Sequence, residues 1–411
     1  MTKNAQTTVL VIGAGPAGLS AAEILAEAGV RVTLYERMAS PARKLLMAGR
    51  GGRNLTHGEE FSRFLWRYGA AAERLKPFLE AFGPQDLRDW CEGLGQKTFV
   101  GSSGRVFPEA MKASPLLRAW LRRLDSLGVE IFTRHEFQGF DGRTALFSTP
   151  NGPLRVEADV YVLALGGASW PRLGSDGSWV APLAAAGLES SPLRPANCGL
   201  LVDWSQNFLD KAEGQPLKNV RLQFGDHSSR GEAVVTRRGL EGGGAYALSS
   251  FIREALAHDG SAELLLDLKP DLTFETLAYQ LSRPRAKMTL SNFLRKAAKL
   301  TPVEVSLLRE AGPLPETPEQ LAARIKSTLL SVKGVAGLER AISTAGGLVW
   351  DGLDEKLMAK NFSGLFVAGE MLDWEAPTGG YLLTACFALG RAAGRGAAEW
   401  AKDASTALPP A

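Results

Sequence analysis

The clearest hydrophobic pattern lies at the start of the chain. Residues 9–12 form a short, continuous apolar run rich in β-branched side chains, which predicts a strand buried on both faces of a parallel sheet. Residues 17–28 are rich in Ala, Leu and Glu and predict a helix that Gly29 ends. Residues 30–35 alternate toward a second strand, with Glu36 at its end. The chain therefore opens with a strand–helix–strand unit.

The turn that joins the first strand to the helix carries three spaced glycines, in the order GAGPAG. At this spacing the first glycine makes a tight turn, the second lets the backbone approach a pyrophosphate and the third lets the helix pack on the strand. The helix N terminus then offers free N–H groups and the positive end of its dipole. Glu36 follows Gly18 by 18 residues, where an acid binds a ribose hydroxyl and favours FAD or NAD over NADP. A glycine-rich turn without a ligand is the alternative. The residues predicted for this site are Gly13, Gly15, Pro16, Ala17, Gly18, Glu36 and Arg37.

A second glycine-rich stretch follows, with the sequence KLLMAGRGGRNLTH over residues 44–57. Dense glycines let a backbone lie close to a ligand, or they simply let a loop turn. Because the loop leaves a nucleotide-binding strand, we expect it to contact the cofactor. The predicted contacts are Lys44, Met47, Gly49, Gly51, Gly52 and Asn54.

The middle of the chain changes character near residue 192. Before it, residues 129–132 predict a third strand with Phe137 beyond it, and residues 160–165 predict a buried strand that brings Ala164 and Gly166 beside a ligand. After it, short strand-like runs give way to helices punctuated by prolines. The sequence thus predicts an α/β fold in three segments: a cofactor domain at 1–191 and 339–411, and an inserted β-plus-α substrate or cap domain at 192–338.

The C-terminal part favours FAD over NAD. A buried strand over 365–370 ends in Gly369-Glu370, and Thr378-Gly379-Gly380-Tyr381 opens a helix whose small residues suit close packing on a sheet. Glu370 offers an acceptor for the ribityl hydroxyls. The helix start near Gly380, Tyr381 and Leu382 suits N1 of a flavin, where negative charge develops on reduction. An ordinary strand–loop–helix is the alternative.

Composition changes this picture little. The 411 residues are 45% hydrophobic and 22% charged, and the net charge of +3 is too mild to imply nucleic acid. The first eight residues are polar, no apolar run reaches membrane-spanning length, and the three cysteines and four histidines show no disulfide or metal spacing. We expect a cytoplasmic protein, monomeric or homodimeric, that acts on a small molecule without nucleic acid, membrane or metal.

Six motifs follow one another along the chain: GAGPAG, KLLMAGRGGRNLTH, GRVFP, LALGGASWPRLGSDG, TAGG and LFVAGEMLDWEAPTGGY. Together they resemble those of the BaiN-like bacterial flavoproteins, a group of NAD(P)/FAD-dependent oxidoreductases. The resemblance implies a Rossmann-like FAD domain of the glutathione-reductase type, interrupted by a β-barrel-like and helical insert. It also implies cofactor roles for Gly13, Gly15, Gly18, Glu36, Lys44, Asn54, Gly369, Glu370 and the turn from Thr378 through Gly379, Gly380 and Tyr381 to Leu382.

This chain departs from its relatives at two places. Many relatives carry a cysteine between the arginine and asparagine of the glycine-rich loop, whereas Arg53 and Asn54 are adjacent here, so thiol chemistry at that position does not transfer. The segment before TGGY reads Trp374-Glu375-Ala376-Pro377 instead of an acid-poor polar stretch.

The expected reaction is hydride transfer through flavin N5, with NAD(P)H as a transient donor because no second nucleotide fingerprint is visible. The catalytic acid or base is not identifiable from the sequence. Tyr381, Arg53 and His57 are candidates, each also consistent with a structural or flavin-contacting role. Two other functions stay open: an FAD-binding RNA-modifying flavoprotein, and a non-catalytic FAD-binding sensor or scaffold.

Overall fold

A computed structural model describes residues 7–47 and 52–407. The chain divides into two compact units: a first unit of Met1–Arg194 with Ser343–Ala411, and an inserted unit of Pro195–Ile342. No helix among the described residues is long and apolar enough to cross a membrane.

The elements of the first unit come from both ends of the chain. Before the insertion they are β1 (Thr8–Ile12), α1 (Pro16–Glu27), β2 (Arg31–Glu36), α2 (Arg43–Leu46), β3 (Thr56–His57), α3 (Phe61–Trp66), α4 (Ala72–Ala81), α5 (Pro84–Gly93), β4 (Thr98–Val100), β5 (Arg105–Pro108), α6 (Ala113–Ser126), β6 (Glu130–Thr133), β7 (Glu136–Asp141), β8 (Thr144–Thr149), β9 (Gly152–Val156), β10 (Val160–Leu163), α7 (Val180–Ala185) and β11 (Ser190–Ala196).

The inserted unit and the C-terminal return supply the remaining elements. The insertion contains β12 (Leu200–Leu201), α8 (Gln206–Ala212), β13 (Pro216–Phe224), β14 (His227–Thr236), β15 (Gly239–Glu241), α9 (Gly243–Tyr246), α10 (Ser249–Asp259), β16 (Ala262–Asp267), α11 (Phe274–Leu281), α12 (Leu290–Ala297), α13 (Pro302–Glu310), α14 (Pro318–Lys326), β17 (Thr328–Val332) and β18 (Gly334–Val335). After it come β19 (Ser343–Leu348), β20 (Leu365–Val367) and α15 (Tyr381–Ala407).

A five-stranded parallel sheet forms the centre of the first unit, in the order β20-β10-β1-β2-β6. Val11 lies opposite Val162 on one side and Leu34 on the other, and all three are fully buried. Buried β-branched residues fit strands that are covered on both faces. The predicted strand–helix–strand opening is confirmed, and Gly29 ends α1 with a φ of +80°.

Helix α15 packs on α1 as well as beside the sheet. A Cβ on Gly390 would lie 2.2 Å from the carbonyl oxygen of Ala17, and one on Gly394 would lie 2.8 Å from that of Ala21. The small residues of this helix were predicted to face a sheet. Their glycines instead let two helix backbones approach, because no side chain stands between them.

Smaller antiparallel sheets complete the first unit. Short turns after Asp141 and after Thr149 join β7, β8 and β9 into one three-stranded sheet. The predicted last strand is shorter than expected: β20 ends at Val367, because Gly369 takes a φ of +87° that a strand does not continue.

A seven-stranded antiparallel sheet organises the inserted unit, in the order β17-β16-β13-β14-β15-β12-β18. The two edge strands, β17 and β18, are joined by the single residue Lys333. The sheet therefore curls back on itself, since one residue spans only about 3.5 Å. This agrees with the barrel-like insert that the resemblance implied. The helices of this unit bury leucines against the sheet, among them Leu277, Leu294 and Leu307.

Candidate functional site

The turn after β1 is shaped by close backbone contacts. Gly13 has a φ of +103°, and a Cβ there would lie 2.3 Å from the carbonyl oxygen of Ala164. A Cβ on Gly18 would lie 1.8 Å from the carbonyl oxygen of Gly13. Gly15 differs, because its hypothetical Cβ meets no atom within 4 Å. Packing therefore requires glycine at positions 13 and 18, whereas Gly15 leaves open space beside its Cα.

That open space lies at the N terminus of α1. Gly15 caps the helix with no side-chain hydrogen bond, Pro16 begins it, and its first turn contains no acidic residue. Gly15, Pro16 and Ala17 line a pocket at this point. Unbonded N–H groups and a positive helix dipole make such an end a site for anions such as phosphates.

Glu36 lies at the end of β2 and lines the same pocket. Its carboxylate accepts a hydrogen bond from the backbone N–H of Ala14, at 2.9 Å, and another from that of Met38, at 2.7 Å. Burial raises the pKa of Glu36 above the ordinary 4.5, although both bonds oppose the shift. The two amides fix the carboxylate where an acceptor for a ribose hydroxyl is expected.

Arg37 is held by two carboxylates beside this end of the pocket. Its guanidinium lies 2.7 Å from Asp176 and 2.7 Å from Glu136. All three residues line the pocket. The sequence predicted Arg37 but neither partner, because both lie far from it along the chain.

A buried network ties the loop after β2 to the segment after β20. The Lys44 ammonium lies 2.7 Å from one oxygen of Glu370 and donates to the Ser169 hydroxyl at 2.6 Å. The other oxygen of Glu370 accepts from the N–H of Thr344 at 3.1 Å. The Thr344 hydroxyl in turn accepts from two backbone N–H groups, those of Ala168 and Ser169. Lys44 and Glu370 line the pocket, so the network fixes its second wall.

The pocket brings together residues that lie far apart along the chain, from Ile12 to Cys386. The predicted residues that line it are Gly13, Gly15, Pro16, Ala17, Glu36, Arg37, Lys44, Phe137, Ala164, Gly166 and Glu370.

Other predicted residues lie outside this lining. Gly18 and Gly369 make close packing contacts, and Met47 ends α2 with its side chain exposed. Gly52 approaches Met111, and the Nδ2 of Asn54 is buried without a hydrogen-bond partner among the described residues. Gly49 and Gly51 lie outside the described residues.

The turn before α15 also stands apart from the pocket lining. Gly380 packs tightly against Thr56, because a Cβ on Gly380 would lie 2.5 Å from the Thr56 Cα. The predicted residues here are Thr378, Gly379 and Gly380, followed by Tyr381 and Leu382 at the start of α15. The Tyr381 hydroxyl donates to Glu59 at 2.5 Å, and its carbonyl accepts from Tyr68 at 2.8 Å. These bonds fix the start of the helix against β3 and the residues that follow it.

Two of the three candidate acid–base residues, Tyr381 and His57, lie at the start of α15. Burial, together with the bond to Glu59, raises the pKa of Tyr381 well above its ordinary value. His57 stacks on the Tyr381 ring at 5.5 Å between centroids. Arg53 donates to the carbonyl of Met47 at 2.8 Å, and burial lowers its pKa. Each has a structural partner, and none lines the pocket.

Ser175 is a site residue that the sequence reasoning missed. Its hydroxyl is buried, lines the pocket and has no hydrogen-bond partner among the described residues. A buried hydroxyl without a partner is uncommon and points to a missing ligand atom. Together with the open space at Gly15, it shows that the residues present fit a bound dinucleotide. The only sequence signal was its place in the GSDG segment after β10.

The described residues contain no group of three His, Cys, Asp or Glu side chains that could hold a metal ion. Cys91, Cys198 and Cys386 are buried and free. Cys386 lines the pocket, together with apolar side chains such as Phe137 and Trp179.

Comparison with known proteins agrees with this geometry. The chain is 28% identical to a 3-dehydro-bile acid delta(4,6)-reductase of Clostridium scindens, over 95% of this chain and 98% of that protein. It is 25% identical to a ribosomal RNA dihydrouridine synthase of Escherichia coli, over 90% and 93%. The fold resembles that of a flavocytochrome c3 fumarate reductase, with a TM-score of 0.51, 16% identity, and coverage of 96% of this chain and 78% of that one.

These matches confirm the resemblance to BaiN-like flavoproteins and the prediction of FAD as the cofactor. The protein is an FAD-dependent oxidoreductase. The model of the HI0933-like protein Rossmann domain matches residues 7–396, so the chain belongs to that family.

Proposed function

We propose that the protein is a reductase that holds FAD and reduces a polarised carbon–carbon double bond of a small organic acceptor, with NADH or NADPH as the electron donor. FAD would supply hydride transfer through N5, and a proton on the other carbon would complete the reduction. The residues at 1–191 and 339–411 would hold the cofactor, and those at 192–338 would contribute to acceptor binding. The similarity to a protein named as a delta(4,6)-reductase supports this acceptor class.

The single observation that carries the proposal is the set of groups that line one pocket. They are an uncapped helix end suited to phosphates, the carboxylate of Glu36 and the Lys44–Glu370 pair. We assign the N–H groups at the start of α1 to the pyrophosphate and Glu36 to the adenosine ribose. Glu370 would accept from the ribityl chain, since Lys44 and Thr344 hold its carboxylate in place.

The start of α15 is assigned to the flavin ring. Gly379 and Gly380 have φ values of +133° and +102°, and the helix begins directly after them. The N–H groups of its first turn would stabilise negative charge at N1 of the reduced ring. Tyr381 would serve as a positioning residue there, since its hydroxyl and carbonyl are both bound to the protein.

The first experiment is a visible spectrum of the purified protein, followed by anaerobic titration with NADH and, separately, with NADPH. We expect a yellow protein that either nucleotide bleaches. A yellow protein that neither nucleotide bleaches would refute the nicotinamide donor and point to another reductant. A colourless protein that does not take up added FAD would contradict the assignment of the pocket.

A second candidate acceptor is a uracil base in ribosomal RNA. Two relatives, from Escherichia coli and Haemophilus influenzae, are named ribosomal RNA dihydrouridine synthases and are 25% and 24% identical over 90% of this chain. Uracil also offers a carbon–carbon double bond conjugated to a carbonyl group. Mass spectrometry of ribosomal RNA incubated with the enzyme and NADPH would detect dihydrouridine, and its absence under conditions that bleach the flavin would exclude this acceptor.

A further inference from the structure

A strongly basic segment occupies one part of the inserted unit. Between Glu275 and Glu304 the chain contains six Lys or Arg residues and no acid. All six are exposed. We call them the basic surface: Arg283, Arg285, Lys287, Arg295, Lys296 and Lys299.

Packing of α12 directs this charge outward. Phe293 and Leu294 are buried in the core of the inserted unit, so the cationic side chains that follow them face solvent. Arg295, Lys296 and Lys299 line one shallow groove together with Met288 and Asn292. No ion pair within the described part of the chain neutralises any of the six, and the nearby Glu304 is already bound to Lys269 at 3.0 Å.

An exposed aromatic ring lies next to one of these cations. Tyr279 on α11 has 69% of its surface in solvent, although most large apolar side chains of this unit are buried. The Arg283 guanidinium lies over its ring, 5.5 Å from the centroid. Single-stranded nucleic acid is bound by exposed rings that stack on bases together with cations that contact phosphates.

Two simpler explanations account for less. Cations in the last turn of a helix interact favourably with its dipole, but this concerns Arg295 and Lys296 and leaves the other four unexplained. A membrane-surface helix needs exposed apolar residues beside its basic ones, whereas the apolar residues of α12 are buried. The combination of charge and aromatic ring favours nucleic acid.

We propose that the basic surface binds the phosphate backbone of RNA and that Tyr279 stacks on one of its bases. The inference deepens the second candidate acceptor and rests on it for the choice of RNA, although binding itself requires no reduction. This proposal differs from the expectation that the protein does not bind nucleic acid, which was drawn from the net charge of +3. The net charge of the whole chain averages out a local excess of positive charge.

The test is fluorescence anisotropy of the full-length FAD-loaded protein with a labelled single-stranded RNA of mixed sequence. Contact of six cations with phosphates predicts that affinity falls roughly 300-fold between ~50 and ~200 mM salt. The triple variant R295Q/K296Q/K299Q should bind on the order of 100-fold more weakly at ~0.1 M salt, with a salt slope reduced by about 2 to 3. Tyr279→Ala should weaken binding about fivefold or more without changing the slope.

The matched control is K211Q/K218Q/R238Q, which removes the same charge from exposed positions of the same unit. It should retain most of the affinity. Equal loss in the two triple variants, no RNA binding by the wild type at ~50 mM salt, or binding only to vesicles that contain phosphatidylserine would each overturn the proposal. Flavin bleaching by NADH and by NADPH is measured on the same samples. Its failure in every protein would contradict the proposed reductase function and leave the RNA result to stand by itself.

Discussion

Gly15→Ala separates the role of the glycine-rich turn in folding from its role in binding. Gly15 has a φ of −79°, which alanine adopts without strain, and its Cβ would meet no atom within 4 Å. The substitution should therefore leave the apoprotein intact and stabilise it by about 0.4–1 kcal/mol, because alanine restricts the unfolded chain more than glycine does.

The same methyl group occupies the space at the N terminus of α1 that we assign to the pyrophosphate. It would hold the phosphates away from the backbone N–H groups. Loss of one charge-assisted hydrogen bond of about 1.5–3 kcal/mol weakens FAD binding about 10- to 150-fold. Stability and affinity should thus change in opposite directions.

The measurements are thermal unfolding of the apoprotein and titration of FAD by quenching of its fluorescence. Gly93→Ala is the matched control, because Gly93 ends α5, is exposed and also has an unobstructed Cβ. It should leave FAD affinity unchanged. Gly18→Ala should instead destabilise the apoprotein, since its Cβ would lie 1.8 Å from the carbonyl oxygen of Gly13. Wild-type FAD affinity in Gly15→Ala would refute the placement of the pyrophosphate.

Three further predictions concern the stability of the apoprotein, measured by urea unfolding. Gly390→Ala should cost about 3 kcal/mol, because its Cβ would lie 2.2 Å from the carbonyl oxygen of Ala17 and must separate two helices. Lys44→Met should cost about 3 kcal/mol, the low end for a buried ion pair, because Lys44 keeps 24% of its side chain in solvent while Glu370 keeps 7%. Glu36→Gln should remove a pH dependence of the free energy of unfolding. Burial raises the pKa of Glu36 in the folded state above 4.5, its ordinary value in the unfolded chain. The wild type should therefore lose stability relative to the variant as the pH rises from 4.5 through the folded-state pKa.

Each of these has a control or a contrary outcome. Gly352→Ala places a Cβ in open space and should leave stability nearly unchanged. Adding Glu370→Gln to Lys44→Met should recover part of the lost stability, because no unpaired carboxylate is then left buried. If the double variant instead loses the sum of the two single losses, the ion-pair explanation is contradicted. Parallel pH profiles for the wild type and Glu36→Gln would show that burial does not disfavour the ionised carboxylate.

The sequence predicted best where the interacting residues are neighbours along the chain. The opening strand, its turn and α1 follow one another directly, so the glycine spacing pointed to the N terminus of α1 and to Glu36, which line one pocket in the structure. Lys44 and Glu370 were also predicted, but on separate grounds, and nothing in the sequence showed that they pair at 2.7 Å. Ser175, Asp176 and Thr344 were missed, because only tertiary packing brings them to the site.

The sequence predicted the kinds of residue that form the site better than the directions in which their side chains point. The start of α15 was expected to face the flavin, yet the Tyr381 hydroxyl is committed to Glu59, a residue with no motif around it. The basic surface was missed for a different reason. Its six cations are spread over 17 residues of a unit that also contains many acids, so neither the net charge nor a short-window search detects them.

Under the proposed function, the insertion would let one cofactor site serve different acceptors. The chain leaves the first unit after Arg194 and returns at Ser343, and every described residue that lines the pocket belongs to the first unit. Substitutions in residues 195–342 therefore change surface charge, such as the basic surface, without altering a group that lines the cofactor pocket. Relatives named for a bile-acid reductase and for a ribosomal RNA dihydrouridine synthase match nearly the whole chain at similar identity. Identity across the chain is thus a poor guide to the acceptor, and the proposal predicts that residues of the inserted unit decide between a small molecule and RNA.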